Sequence, residues 1–105
     1  MKILIKEKSD KGVLRLVMNN LDYKNALSNK MMSMLEDEIK AASSDKSTRV
    51  IVLAAKGNVF CSGHDLKEII AAREHKDSGE EFYLDLFNSC STLMQLIVNA
   101  PQPVI

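Results

Sequence analysis

The residues with the most chemical promise fall in one short stretch, Cys61-Ser62-Gly63-His64-Asp65, with a second histidine at His75 and a second cysteine at Cys90. Cys61, His64, His75 and Cys90 together would make a four-ligand metal set. The two, ten and fourteen residues that separate them fit no common zinc finger or ribbon, so no metal is expected. Cys61 as a nucleophile with His64 as its base would pair side chains three apart in a turn, with no third group to orient them. Ser62, His64 and Asp65 have the composition of a triad, but near neighbours in sequence cannot reach triad geometry. What remains is chemistry done by the backbone. A glycine at position 63 carries no Cβ and lets a ligand come close to the main chain. A helix starting just after it offers unpaired N–H groups and the positive end of its dipole. The N–H of His64 would then donate to an oxygen that gains negative charge, as one arm of an oxyanion hole. A Gly-x-Asp sequence before a helix is equally a turn with a cap, and spacing leaves both readings open.

The elements that must position this loop can be read in order. Ile3 to Glu7 forms a short strand, and Val13 to Met18 a second with apolar residues on both faces. Ser9-Asp10-Lys11-Gly12 between them has turn chemistry, which predicts a hairpin. After a polar loop, Asn19 to Asn25, Ser28 is the N-cap of a helix whose apolar positions Met31, Leu35, Ile39 and Ala42 recur every three or four residues, with Glu36, Asp37 and Lys40 opposite. Val50 to Ala55 is a continuous apolar run, which predicts a central strand covered on both sides and a right-handed βαβ unit. Asp65 and Glu68 match a capping box that opens a short helix to about Ala72. Arg73 to Gly79 reads as a charged linker. A longer helix from Glu80 to about Asn99 buries Phe82, Leu86, Leu93, Leu96 and Ile97, with Cys90 on that face. The six methionines sit at helix-face and strand positions and read as core. Pro101-Gln102-Pro103-Val104-Ile105 resembles the start of a buried strand more than a fraying terminus, which suggests that the polypeptide stops where a strand begins.

Composition narrows the function classes. The chain has 105 residues, 46% hydrophobic and 27% charged, with 14 basic and 14 acidic side chains that cancel. That is one small domain, and the interspersed signs argue against a nucleic-acid partner. Any acidic ligand must be held locally. No apolar run is long enough for a membrane span or a signal h-region, so the expected compartment is the cytoplasm, where Cys61 and Cys90 stay unbridged.

Val59 to Glu68, containing Phe60-Cys61-Ser62-Gly63-His64-Asp65-Leu66, resembles the first acyl-CoA signature of the enoyl-CoA hydratase/isomerase (crotonase) family. Lys24-Asn25-Ala26-Leu27 resembles the end of the family's upstream loop, with Leu21-Asp22 where a proline is common. Pro103-Val104-Ile105 is similar to the strand before its second signature. The resemblance implies an α/β fold, the amino-terminal part of a crotonase-like (ββα) domain over residues 1–105, with a hairpin plus βαβ units and helices packed on the sheet. It further implies that the His64 backbone N–H is catalytic, holding a thioester oxygen as it becomes an enolate. Lys24, Ala26, Phe60, Ser62, Gly63, Asp65, Leu66 and Lys67 would contact or shape the acyl-CoA site, Lys67 near a CoA phosphate and Asp65 as the helix cap. Coenzyme A enters as part of the substrate, with no separate cofactor. The family's second oxyanion donor and its catalytic glutamates belong to segments beyond Pro-Val-Ile, so the implied enzyme is incomplete here. Two readings follow: an acyl-CoA lyase or isomerase of fatty acid metabolism, seen in part, or a non-catalytic homologue that binds CoA or acts by association. An open strand edge also predicts a homo-oligomer.

Overall fold

The computed structural model describes residues 2–105, so Met1 lies outside the described residues. Strands β1 (Leu4–Lys8), β2 (Val13–Met18) and β3 (Val50–Ala55) form one sheet in the order β1-β2-β3. The hairpin is antiparallel with Leu4 opposite Met18 and Lys8 opposite Leu14. Its turn is fixed by Ser9, whose Oγ accepts from the Val13 N–H at 3.1 Å, and by Gly12 at φ +87°. A Cβ at Gly12 would stand 2.6 Å from the Ser47 carbonyl, so the turn also depends on close approach of the chain that leads into β3.

Helix α1 (Asn29–Ser43) crosses from β2 to β3, which pair in parallel with Val13 opposite Val50. Ser28 caps it as expected, its Oγ accepting from the Met31 N–H at 3.1 Å. Its buried face is Met31, Met32, Leu35, Ile39 and Ala42, closing over Leu14, Leu16 and Met18 of β2. Each fully covered side chain of this size removes about 1.5–3 kcal/mol of apolar exposure from water. Met32, outside the stripe read from sequence, is buried because the face is wide enough to meet both sheet and α3 (Glu80–Asn99).

Four expectations need correction. β3 is not sealed on both sides: Ile51 is buried and its neighbours are half-buried. The middle strand is β2, and β3 meets only a short partner beyond it, a parallel bridge of Ile51 with Val104, with Leu53 N–H donating to Ile105 at 2.8 Å. The methionines are not all core, since Met94 is exposed on α3. Glu68 does not close a capping box; its Oε1 accepts from the Asn29 N–H at 2.9 Å, so this α2 (Leu66–Ala72) carboxylate serves the first turn of α1. The segment 73–79 does more than link. Asp77 accepts from the N–H groups of Gly79 and Glu81, each at 3.0 Å, and so caps α3. Gly79, at φ +90°, has the Ala72 carbonyl 2.8 Å from where a Cβ would stand. Tyr83 Oη then donates to the Ile69 carbonyl at 2.8 Å and ties α2 to α3.

Candidate functional site

The loop from Val59 to Asp65 leaves the carboxyl end of β3 and enters α2, the place where open α/β sheets take their ligands. It is held by a second segment, Asn20 to Leu27. Ser62 N–H donates to the Lys24 carbonyl at 3.2 Å, Ser62 Oγ donates to the Tyr23 carbonyl at 3.3 Å, and Leu27 N–H donates to the Gly63 carbonyl at 2.7 Å. Leu27 and His64 form an isolated parallel bridge. Parallel pairing uses the groups flanking the bridged residue, which turns the N–H of His64 away from Leu27. Among the described residues no acceptor takes that N–H.

Gly63 has φ +94°, and nothing lies within 4 Å of where its Cβ would be. The glycine is required by the backbone conformation, and the space beside it is open. Asp65 accepts from the Lys67 and Glu68 N–H groups at 2.9 and 3.3 Å, so its carboxylate is engaged in starting α2. Gly63 N–H reaches the Cys61 sulfur at 3.4 Å. The imidazole of His64 packs edge-on against Phe87 of α3, 6.4 Å between ring centres, with Nδ1 buried and unpartnered.

The other residues singled out from sequence divide clearly. Phe60 and Leu66 are exposed at the two ends of the loop, and Ala26 is buried beneath it. Lys67 holds its Nζ 5.1 Å from the centre of the Tyr23 ring, a cation–π contact that brings it over the segment containing Lys24. His75 meets Phe82 edge-on at the α2–α3 turn, and Cys90 lies on α3; both cysteines are free thiols. Among the described residues no three His, Cys, Asp or Glu side chains gather as a metal site.

Among the described residues three lysines near the loop form no ion pair. The ion pairs Lys6–Glu38, Lys8–Asp45, Arg15–Glu7 and Lys40–Glu36 lie on the sheet and α1, and none involves Lys24, Lys56 or Lys67. Lys24 and Lys56 line a cleft of about 180 Å³ with Leu21, Asn25, Gly57, Asn58 and Val59. Larger clefts lie elsewhere, one of about 400 Å³ between α1 and the far end of α3, with no backbone donor of this kind beside it. The residue that sequence reasoning missed is Asn25, quoted there only as part of a motif. It is 1% exposed, accepts from Asn20 N–H at 2.7 Å, and donates to the Lys56 and Val59 carbonyls at 3.0 and 2.9 Å. Its signal was the polar residue standing beside Ala26 and Leu27 where the chain turns inward. The loop offers a main-chain donor with open space beside Gly63, and the cleft that Lys24 and Lys56 line is a separate one that includes neither Gly63 nor His64.

A family description of enoyl-CoA hydratase/isomerase matches residues 8–105. The chain is 40% identical over 94 residues to enoyl-CoA hydratase domain-containing protein 3, mitochondrial, of Xenopus laevis, covering 90% of this chain and 30% of that one. The human protein of the same name is 36% identical over 94 residues, covering 90% and 29%. Among solved structures, an enoyl-CoA hydratase from Mycobacterium smegmatis superposes with a TM-score of 0.88 at 36% identity, over 99% of this chain and 38% of that one. The crystal structure of the human domain-containing protein 3 gives 0.85 at 32%, over 98% and 38%. The chain thus spans about a third of the length of these relatives, and over that span both its sequence and its strand-loop-helix order agree with theirs. It belongs to the enoyl-CoA hydratase/isomerase family.

Proposed function

We propose that this chain binds an acyl-CoA thioester and supplies one backbone donor, the His64 N–H, to the thioester oxygen as it acquires enolate charge. The observation that carries the reading is a main-chain N–H with no acceptor, held rigid by the Leu27 bridge and facing away from it, next to the open space at Gly63. A donor already in place needs no reorganisation when charge develops, and one such donor is worth roughly 3 kcal/mol of transition-state stabilisation. Lys24 and Lys67 supply positive charge for the CoA phosphates, and Phe60 and Leu66 supply apolar contact for the pantetheine or acyl chain. Asp65, Ala26 and Ser62 act by shaping the loop.

The second donor and the proton-transfer groups of the reaction come, in this reading, from outside residues 1–105. Glu68 is already committed to the Asn29 N–H, and Glu80 and Glu81 sit in the first turn of α3. The chain therefore binds and polarises but does not complete hydration, the partial form of a lyase or isomerase of fatty acid metabolism. No separate cofactor enters this scheme. The compartment belongs to the same proposal: the cytoplasm, with subcellular fractionation as its measure, since several relatives carry the name mitochondrial.

Purified chain mixed with crotonyl-CoA tests it. Calorimetry is expected to register binding while the enoyl absorbance stays constant. Absence of binding would sink the reading, and turnover at the rate of a hydratase would sink the claim that outside groups are required. A second reading, an association module, is favoured by one observation, the apolar stripe exposed along α3.

A further inference from the structure

We propose that Asn25 is the positioning residue of this site: its side chain makes its hydrogen bonds to Asn20, Lys56 and Val59 and none to the loop tip, yet it holds Ser62, Gly63 and His64 in the conformation that presents the His64 N–H. Its amide uses both its donors and its acceptor inside the protein. The two carbonyls it bonds, Lys56 and Val59, belong to the chain entering the loop. The backbone around it engages the other end. Lys24 and Asn25 lie consecutively in the left-handed region, at φ 51° and 55°. That conformation costs a non-glycine residue roughly 1–2 kcal/mol, so two in succession persist only where surrounding bonds impose them. Here the double turn aims the Lys24 carbonyl at Ser62 N–H and the Leu27 N–H at the Gly63 carbonyl. One buried side chain therefore fixes the entrance of the loop directly and its tip through the turn it maintains. An apolar residue of similar size would orphan three backbone groups at once.

The mechanical part stands on these contacts alone; the effect on ligand rests on the acyl-CoA reading above. Asn25→Asp keeps the shape and the acceptor for Asn20 but sets an oxygen against two carbonyls. Asn25→Ser is milder, retaining a hydroxyl able to satisfy one of the three groups. Amide hydrogen exchange followed by NMR reads the result. In both variants the Ser62 and Leu27 amides are expected to exchange at least tenfold faster, more so for aspartate, while Leu16 in β2 and Ile39 in α1 keep their wild-type rates. Affinity for butyryl-CoA is expected to fall at least tenfold alongside. Unchanged exchange at Ser62 and Leu27 would overturn the proposal. So would equal acceleration at all four amides in the serine variant, since that marks a general role in stability. Wild-type protein that fails to bind butyryl-CoA defeats the acyl-CoA reading, and the exchange rates still decide the positioning role.

Discussion

At the scale of single residues, Gly63 and His64 divide one task. Gly63 provides a backbone angle, φ +94°, and His64 provides the N–H that this angle turns outward. Because nothing stands within 4 Å of the missing Cβ, Gly63→Ala meets no clash, and its whole cost is conformational. The variant is expected to lose about 1 kcal/mol or somewhat more of stability, read by urea denaturation. It is also expected to lose at least tenfold in butyryl-CoA affinity as the loop relaxes. Stability lost with affinity intact would mean that the ligand does not use this stretch of main chain. The imidazole of His64 is a separate matter: it packs on Phe87, so a His64→Ala change tests packing and leaves the backbone donor in place.

At the scale of elements, carboxylates fix where helices begin and end. Asp77 accepts from Glu81 and Gly79 at the start of α3, and those N–H groups hold its carboxyl below the usual carboxylate range. Asp45, at the end of α1, is likewise held low, first by the Lys8 ammonium at 2.8 Å and then by the hydroxyl and N–H of Ser47. A lowered folded-state pKa adds stability that is fully present above the unfolded value, about 3.9, and is lost as pH falls through the folded one. Melting temperature is therefore expected to be flat from pH 7 to about 5 with respect to these groups and to drop below about 4. Asp77→Asn and Asp45→Asn should each make that acid limb shallower. A limb identical to wild type in the double variant would show that neither carboxylate is linked to folding. Asp77 is exposed and Asp45 only half-buried, so the experiment belongs at low ionic strength.

At the scale of the whole molecule, α3 has two apolar faces. Leu86 and Leu93 turn inward to α1 and the sheet, while Leu84, Phe87, Met94 and Val98 lie outward, 40 to 75% exposed, at spacings of three, seven and four. That outer spacing is the a/d pattern of helix pairing, with Ser91 in the remaining seam position. The only charges on α3 are Glu80, Glu81 and Asp85 near its amino end, so antiparallel pairing with a second copy separates like charges, and parallel pairing stacks them. Self-association through this face is the expected outcome, a dimer by sedimentation velocity at micromolar concentration. Phe87→Glu with Val98→Lys is expected to return a monomer with unchanged helical circular dichroism. A wild-type monomer, or a double variant that still dimerises, would remove α3 from the assembly. At the carboxyl end Val104 and Ile105 pair with β3 through the main chain while the Ile105 side chain stays exposed, so apolar surface is bare there as well as along α3.

Much of this was legible from residues in order. The hairpin followed from turn chemistry at Ser9–Gly12, α1 from an apolar period and the Ser28 cap, and the site loop from Phe60–Leu66 set between an apolar run and a helix start. These are local signals, in which propensity, pattern and cap act within a few residues and tertiary contacts agree with them. Partnership across the chain was not legible in the same way. Nothing near Glu68 announces that its carboxylate will serve a helix 39 residues earlier, and nothing near Asn25 names the carbonyls of Lys56 and Val59. Periodicity marked the inner face of α3 as core but could not say that the outer apolar positions would lie bare. Hydrogen bonds of long sequence separation and the coverage of a face depend on which surfaces meet, and that is decided only when the sheet and helices close on one another.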